Sequence, residues 1–569
     1  MDRPPPDRSP PRPRPLSWLT AAVWLAGLAG LLWGIPSAGT PGWDETGHAY
    51  AALRMGEALQ AFDLRAFFHE FHRPDYYTGP GRVGMAPAFL VSNAFAAPRV
   101  ATGLAWFVAI ALAARLARRL VDAARADEAA FWTVAFGASS WLGISYSRAA
   151  FQEAWCALVT IVGVMLWLAA RERGTWRRVL ALGVWLGLAI LVKATYGFFL
   201  AAAVGGATAV DLALARDPAE RARAARIAAG SAAGVTLVAL WWFVLPLPMG
   251  LETGREHWRY FAHYLTKAAE LSTLGPGFVW VVWVLEACLS PLVFLLQVAG
   301  IAWGVARWRD PLARVAALLA LIGPAAFMAY PFRIDRFLVP TAFAAWILAA
   351  AVTTRLTALG RGRGRVAIAA LLVLAILVTR GAGQLAVVKL AIGGEWTAER
   401  EAATARAAET WKSPFGRRLA PAVGPPGTQA VLDAAARHLD PRRPFAWIGG
   451  TGTELPLWLL EWRLYQISGE RSILTRERAK IDHLWDEPAR ADGAPWQEED
   501  FRAWAAGFPQ VGVLDPPDPK NRPRPEELRW VAWMDAHPAF ERFALEEVEI
   551  EVRPDVRQRF EVRVYRRRE

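Results

Sequence analysis

Residues 16–35 read LSWLTAAVWLAGLAGLLWGI, without a single charge. A helix needs about 20 such residues to cross a bilayer. The stretch before it, residues 1–15, reads MDRPPPDRSPPRPRP. Pro and Arg at that density cannot bury a core, so a disordered cytoplasmic tail is expected there. The apolar run reads as a retained anchor rather than a signal peptide cleaved near Ser37–Gly39, because it is long and many others follow.

Further apolar stretches fall at 100–117, 129–146, 151–170, 179–192, 196–214, 227–246, 278–306, 313–330, 336–355 and 366–380. With the first, the count is about eleven membrane helices. The segment 86–97 is apolar but short, and is expected to lie along the membrane. The chain of 569 residues is 54% hydrophobic and only 20% charged, with 29 Trp, a residue that collects at membrane–water interfaces. Cys156 and Cys288 fall inside apolar stretches and form no metal-binding pattern.

The net charge of +12 does not point to nucleic acid, because the arginines follow topology. They gather in the N-terminal tail and in the gaps holding Arg115–Arg125, Arg171–Arg178, Arg216–Arg226, Arg307–Arg314 and Arg355–Arg365, which are every second gap. Positive loops stay cytoplasmic. The N-terminus is then cytoplasmic, and the loops 36–99, 147–150, 193–195, 247–277 and 331–335 are extracytoplasmic. The expected location is the cell (inner) membrane, crossed many times.

Beyond about residue 380 the charged and Pro content rises and no run can span a bilayer. Helices are expected near 427–439, 454–466, 497–507 and 525–536, and strands at 444–449, 509–514, 541–552 and 558–567, with a turn at Pro554–Asp555. The fold class is therefore a polytopic α-helical membrane protein, residues 16–380, with a C-terminal extracytoplasmic α/β domain, residues 381–569.

Four polar groups fall at extracytoplasmic helix ends. The first is Asp44, Glu45 and His48 in WDETGHAYAAL, where Asp44 and His48 share a helix face. The bland reading is an acidic helix start favoured by the dipole. The second is Ser147–Arg148 with Gln152–Glu153 in SRAAFQEAWCAL, which also reads as a polar loop and cap. The third is Lys193 in GLAILVKATYGFF, a lone cation that either snorkels to the surface or binds an anion. The fourth is Arg333 and Arg336 in AYPFRIDRFLVP. Arginines there break the positive-inside pattern and suit phosphate, unless they pair with Asp335 or Glu286.

Other groups carry less. Gly449–Gly450–Thr451–Gly452 lacks the Lys-Ser/Thr of a phosphate loop and reads as a strand-to-helix turn. His69 and His72 flank Glu70 at spacings compatible with a metal or with surface packing. Asp211 and Glu286 read as internal partners.

The four motifs, in this order and on one side, resemble the GT-C membrane glycosyltransferases, in the branch of protein O-mannosyltransferases and the lipid A aminoarabinose transferase. The resemblance covers roughly residues 16–355. It implies sugar transfer from a polyprenyl-phosphate donor to a hydroxyl on a lipid, glycan or protein acceptor, with inversion at the anomeric carbon. Asp44 and Glu45 would be catalytic, Asp44 as general base. His48, Arg148, Glu153, Lys193, Arg333 and Arg336 would bind substrate, the cations stabilising the leaving phosphate. These residues require no cofactor, and they are compatible with a divalent metal. The stretch YYTGPGRVGMAPAFL departs from the Tyr-Pro-Pro pattern frequent in that family. The competing reading is a transporter or flippase of a lipid-linked saccharide, but the sequence has no repeat and its charges lie at helix ends rather than the midplane.

Overall fold

A computed structural model describes residues 15–33, 35, 43–72, 79–243, 255, 291–329, 335–360, 363–376, 428–448, 457–475, 479–481, 497–515, 531–553 and 556–568. Arg333, Glu286, Cys288, residues 449–452 and the Pro554–Asp555 turn lie outside the described residues, as do the side chains of Asp44 and Arg336.

The bundle begins with α1 (Pro15–Trp33). A cap over one end follows, made of α2 (Trp43–Gln60), α3 (Leu64–Phe71), α4 (Pro80–Val83) and a 3-10 turn at Ala86–Leu90. Next come α5 (Ala96–Ala117), α6 (Ala126–Ala138), α7 (Trp141–Ser147), α8 (Glu153–Arg173), α9 (Trp176–Val192), α10 (Ala194–Leu214) and α11 (Pro218–Phe243). The last bundle helices are α12 (Pro291–Ala306), α13 (Pro311–Ala329), α14 (Val339–Leu359) and α15 (Arg363–Ile376). Among the described residues, seven helices are long and apolar enough to cross a membrane: α1, α5, α8, α10, α11, α13 and α14. The protein is a multi-pass membrane protein. The expected spans 129–146 and 179–192 coincide with shorter helices, and 278–306 and 366–380 are described only over 291–306 and 366–376.

The stretch 129–146, expected as one span, is two helices. Ser140 caps α7 by accepting from the Gly143 N–H at 3.2 Å, and Ser139 bonds back to the Ala135 carbonyl. Short hydroxyl side chains give the backbone these alternatives to a continuous helix. In the segment 86–97, Phe89 and Phe95 pack against the C-terminal region while Leu90 and Val91 remain exposed.

α14 is the axis of the bundle. Its residues from Phe343 to Ala351 are all buried, and Trp346 meets Trp106 of α5 edge-on at 5.6 Å. α9 lies close along α11, where Gly183 faces the backbone of Gly230 and Gly234. Small residues permit this approach, the usual basis of helix packing in lipid.

The two ends of the bundle differ chemically. At one end, Arg171 and Arg314 both bind Asp211, Arg119 binds Glu172, and Arg365 binds Glu128. Asp211 is thus an internal partner, as its position suggested. At the other end stand Glu45, Arg148, Glu153 and Lys193. Because α8 runs from Glu153 to Arg173 and α10 from Ala194 to Leu214, these groups sit opposite the arginine-rich end.

The C-terminal region holds α16 (Thr428–His438), β1 (Phe445–Ile448), α17 (Leu457–Ser468), α18 (Ser472–Thr475), β2 (Ala479–Ile481), α19 (Glu498–Ala505), β3 (Gln510–Asp515), β4 (Phe540–Arg553) and β5 (Val556–Arg567). The sheet order is β2-β1-β3-β5-β4, parallel on the β2-β1-β3 side and antiparallel across β3-β5-β4. Two apolar clusters cover its faces, one around Trp447 and Phe560, the other around Phe501 and Val513. The strand at 479–481 was not expected. Three residues, AKI, are too few to show alternation.

Candidate active site

The entry of α2 is fixed by one carboxylate. Glu45 is fully buried. Its Oε1 accepts from Arg99 Nε at 2.6 Å and from the Ala150 N–H at 2.8 Å, and its Oε2 accepts from Arg99 Nη2 at 2.9 Å. Arg99 lies in the first turn of α5, and Ala150 in the link between α7 and α8. A planar guanidinium gripping both oxygens gives a charge-assisted and directional bond. Two segments are thereby tied to the helix that carries Asp44 at its second position and buried His48 one turn on.

Lys193 stands alone between α9 and α10, in extended conformation at φ −160° and ψ 111°. It closes both helices: its N–H donates to the Ala189 carbonyl, and its own carbonyl accepts from the N–H groups of Tyr196 and Gly197. Its ammonium donates to Glu153 Oε1 at 2.8 Å and lies about 5.5 Å from the Tyr196 ring and 5.6 Å from the Phe337 ring. Tyr196 donates its hydroxyl to the Phe337 carbonyl at 3.1 Å. That bond draws the 3-10 turn Asp335–Leu338, which includes Arg336, to the Lys193 elbow.

Arg148 caps α7 close to Arg99. Burial, with the Arg99 charge, lowers its guanidinium to about 10. A cation under that pressure favours an anionic neighbour.

Two participants, Arg99 and Arg82, were not singled out in the sequence. Arg99 sits beside the apolar stretch 100–117. Arg82, on α4, is buried although it sits in a Gly-Pro-Gly turn. Gln152, part of the second motif, is buried, and neither its carboxamide oxygen nor its nitrogen has a hydrogen-bond partner among the described residues. Gly81 packs directly on it: a Cβ at Gly81 would lie 2.3 Å from Gln152 Nε2 and 2.5 Å from the Val192 carbonyl. Gly81 therefore bridges the second and third motifs. Its signal in the sequence was a glycine, which allows such close backbone approach.

The His69, Glu70 and His72 group does not converge. His69 is exposed, Glu70 pairs with Arg54 at 3.1 Å, and His72 packs 4.6 Å from the Trp242 ring. Burial lowers the His72 imidazole below its ordinary range. Among the described residues no cluster of His, Cys, Asp or Glu is arranged to hold a metal ion. Glu45 in particular does not fit a metal, since its two oxygens already accept three hydrogen bonds.

No family model and no curated protein matches the sequence. Solved structures do. ArnT from Cupriavidus metallidurans in the apo state is 15% identical with a TM-score of 0.57, covering 96% of this chain and 97% of that one. The same protein bound to undecaprenyl phosphate is 14% identical with a TM-score of 0.52, covering 96% and 98%. The Archaeoglobus fulgidus oligosaccharyltransferase, in complex with Zn and sulfate, is 14% identical with a TM-score of 0.51, covering 86% and 67%. The chain shares the fold of these structures.

Proposed function

We propose that this chain is a membrane glycosyltransferase that moves a sugar from a polyprenyl-phosphate donor to a hydroxyl acceptor on the extracytoplasmic face. The observation that carries the reading is the meeting of Lys193, Glu153 and the Asp335–Leu338 turn at one bundle end. That end lies opposite the arginine-rich one, in a fold shared with an ArnT solved with undecaprenyl phosphate. A lipid phosphate must sit at helix-end depth because its tail stays in the bilayer.

In this reading the acceptor oxygen attacks the anomeric carbon, the bond from that carbon to the phosphate oxygen breaks, and the lipid phosphate leaves. The configuration inverts. Asp44 takes the proton of the acceptor hydroxyl. Glu45, already committed to Arg99 and Ala150, acts by fixing the helix turn that carries Asp44; His48 belongs to the same turn. Lys193, Arg148, Arg333 and Arg336 are the cations assigned to stabilise the charge that develops on the leaving phosphate. Glu153 orients the Lys193 ammonium. Arg82 and Gln152 line the same region. A divalent metal acting here would need ligands other than Glu45, and activity titrated with Mg²⁺ and Mn²⁺ against a chelator measures that requirement.

The arginine-rich end then faces the cytoplasm of the inner membrane, and residues 381–569 form the extracytoplasmic domain. The acceptor is a lipid, glycan or protein hydroxyl. The test is transfer by purified protein in lipid, with Asp44→Asn and Lys193→Met beside the parent chain. Normal expression with unchanged turnover in both variants would overturn the assignment. Translocation of the lipid-linked sugar without turnover would favour a flippase instead.

A further inference from the structure

The C-terminal region touches the bundle through α2 and the segment after it. Trp462 of α17 is fully buried, donates its indole N–H to the Asn93 carbonyl at 2.8 Å, and meets the Phe89 and Phe95 rings edge-on at 5.7 and 4.6 Å. Gln466, one turn on, donates to the same carbonyl at 3.0 Å. Tyr465 donates its hydroxyl to Glu57, near the far end of α2. Arg471 binds Glu57 at 3.0 Å and Gln60 at 3.2 Å. Burial and the Glu57 carboxylate push the Tyr465 hydroxyl up to about 12, so it stays a donor at any working pH.

One helix therefore carries the candidate base at its start and the docking carboxylate near its end. Glu45 and Glu57 are twelve residues apart, about 18 Å of helix. The packing between them is unbroken. A single apolar cluster joins Ala49, Tyr50 and Leu53 of α2 to Ala150, whose N–H binds Glu45, and to Trp462 and Tyr465. A contiguous packed network of this kind transmits position.

We propose that the C-terminal domain is a positioning element of the active site: through Trp462, Tyr465 and Arg471 it holds α2 so that Asp44 and Glu45 stand at the Arg99–Ala150 seat. The consequence for turnover rests on the glycosyltransfer reading; the consequence for α2 does not. None of these three residues touches substrate in this account. They act through α2, so the sugar acceptor is met by a base whose place depends on a domain docked a helix length away.

Hydrogen exchange on the full-length protein in nanodiscs tests this, with Trp462→Ala, Trp462→Phe and Tyr465→Phe. In Trp462→Ala, exchange is expected to rise along all of residues 43–60, including the turn at Glu45, while α14 keeps its protection. Trp462→Phe should restore most of that protection. Tyr465→Phe, which keeps the ring, should give a smaller rise over the same span. With a polyprenyl-phosphate sugar as donor, kcat of Trp462→Ala should fall roughly tenfold or more, the scale of misplacing a catalytic group, while KM for the donor stays within about twofold. A rise confined to residues 57–60, or loss of donor affinity with kcat unchanged, overturns the proposal. The exchange arm decides it even where no donor is turned over, so its failure is distinguishable from failure of the glycosyltransfer reading.

Discussion

Arg99 holds both carboxylate oxygens of Glu45 across 54 residues of chain, in a site where each side chain is almost wholly buried. Attraction between two desolvated charges offsets their loss of hydration only while both are present. Arg99→Met is therefore expected to destabilise the protein by about 3–5 kcal/mol, because it strands the carboxylate. Adding Glu45→Gln to Arg99→Met should recover part of the loss. Unfolding in detergent measures both; additive losses would show that the pair is not coupled.

In the proposed reaction Lys193 stabilises the charge on the leaving phosphate. Lys193→Met is expected to lower kcat by roughly 10²–10³, the usual effect of removing one such electrostatic donor. Glu153→Gln keeps the shape but loosens the ammonium, so a smaller fall is expected. Steady-state rates with a lipid-linked sugar check the order; a larger effect from Glu153→Gln would reverse the roles assigned here.

Gln152 hides two polar atoms without partners among the described residues. A buried unsatisfied group costs about 1–3 kcal/mol. Gln152→Leu, close in size, is expected to raise the melting temperature and to lower sugar transfer. If the variant melts at or below the parent temperature, the unsatisfied carboxamide is not a stored cost.

His72 gives the acid dependence. Its pKa is lowered by burial beneath the ordinary 6.5, so below that value the unfolded chain binds a proton that the folded chain refuses. Stability from this residue is full above pH 6.5 and declines as pH falls below it. Melting temperatures across that range should decline less in His72→Phe. Identical slopes would show that His72 plays no part in the acid limb.

Much of this was legible because bilayers impose harsh rules. Every described bundle helix overlaps an apolar stretch read from the sequence, and the alternation of arginines matches the chemical difference between bundle ends. Lys193 stood out because a lone cation between apolar runs needs a reason, and Glu153 supplies one. Arg99 was missed because its partner lies 54 positions away, a distance no local pattern encodes. The contact of Phe89 and Phe95 with Trp462 was not legible, because apolarity alone does not name a partner 367 or more positions away. The short strand β2 owes its form to its parallel neighbour β1, not to its own three residues.

The single-residue elbow at Lys193 has a consequence for the surrounding lipid. α9 has 17 residues, about 25 Å of helix, against a hydrocarbon layer of about 30 Å. One end of α9 carries Arg177 and Arg178, cations suited to a headgroup layer. The elbow therefore ends short of the far headgroups unless the bilayer thins around it. The lysine cannot climb out by uncoiling, since α10 begins at the next residue. Acyl-chain length thus becomes a control on turnover: shorter lipids bring the water boundary down to the ammonium, and longer ones leave it submerged.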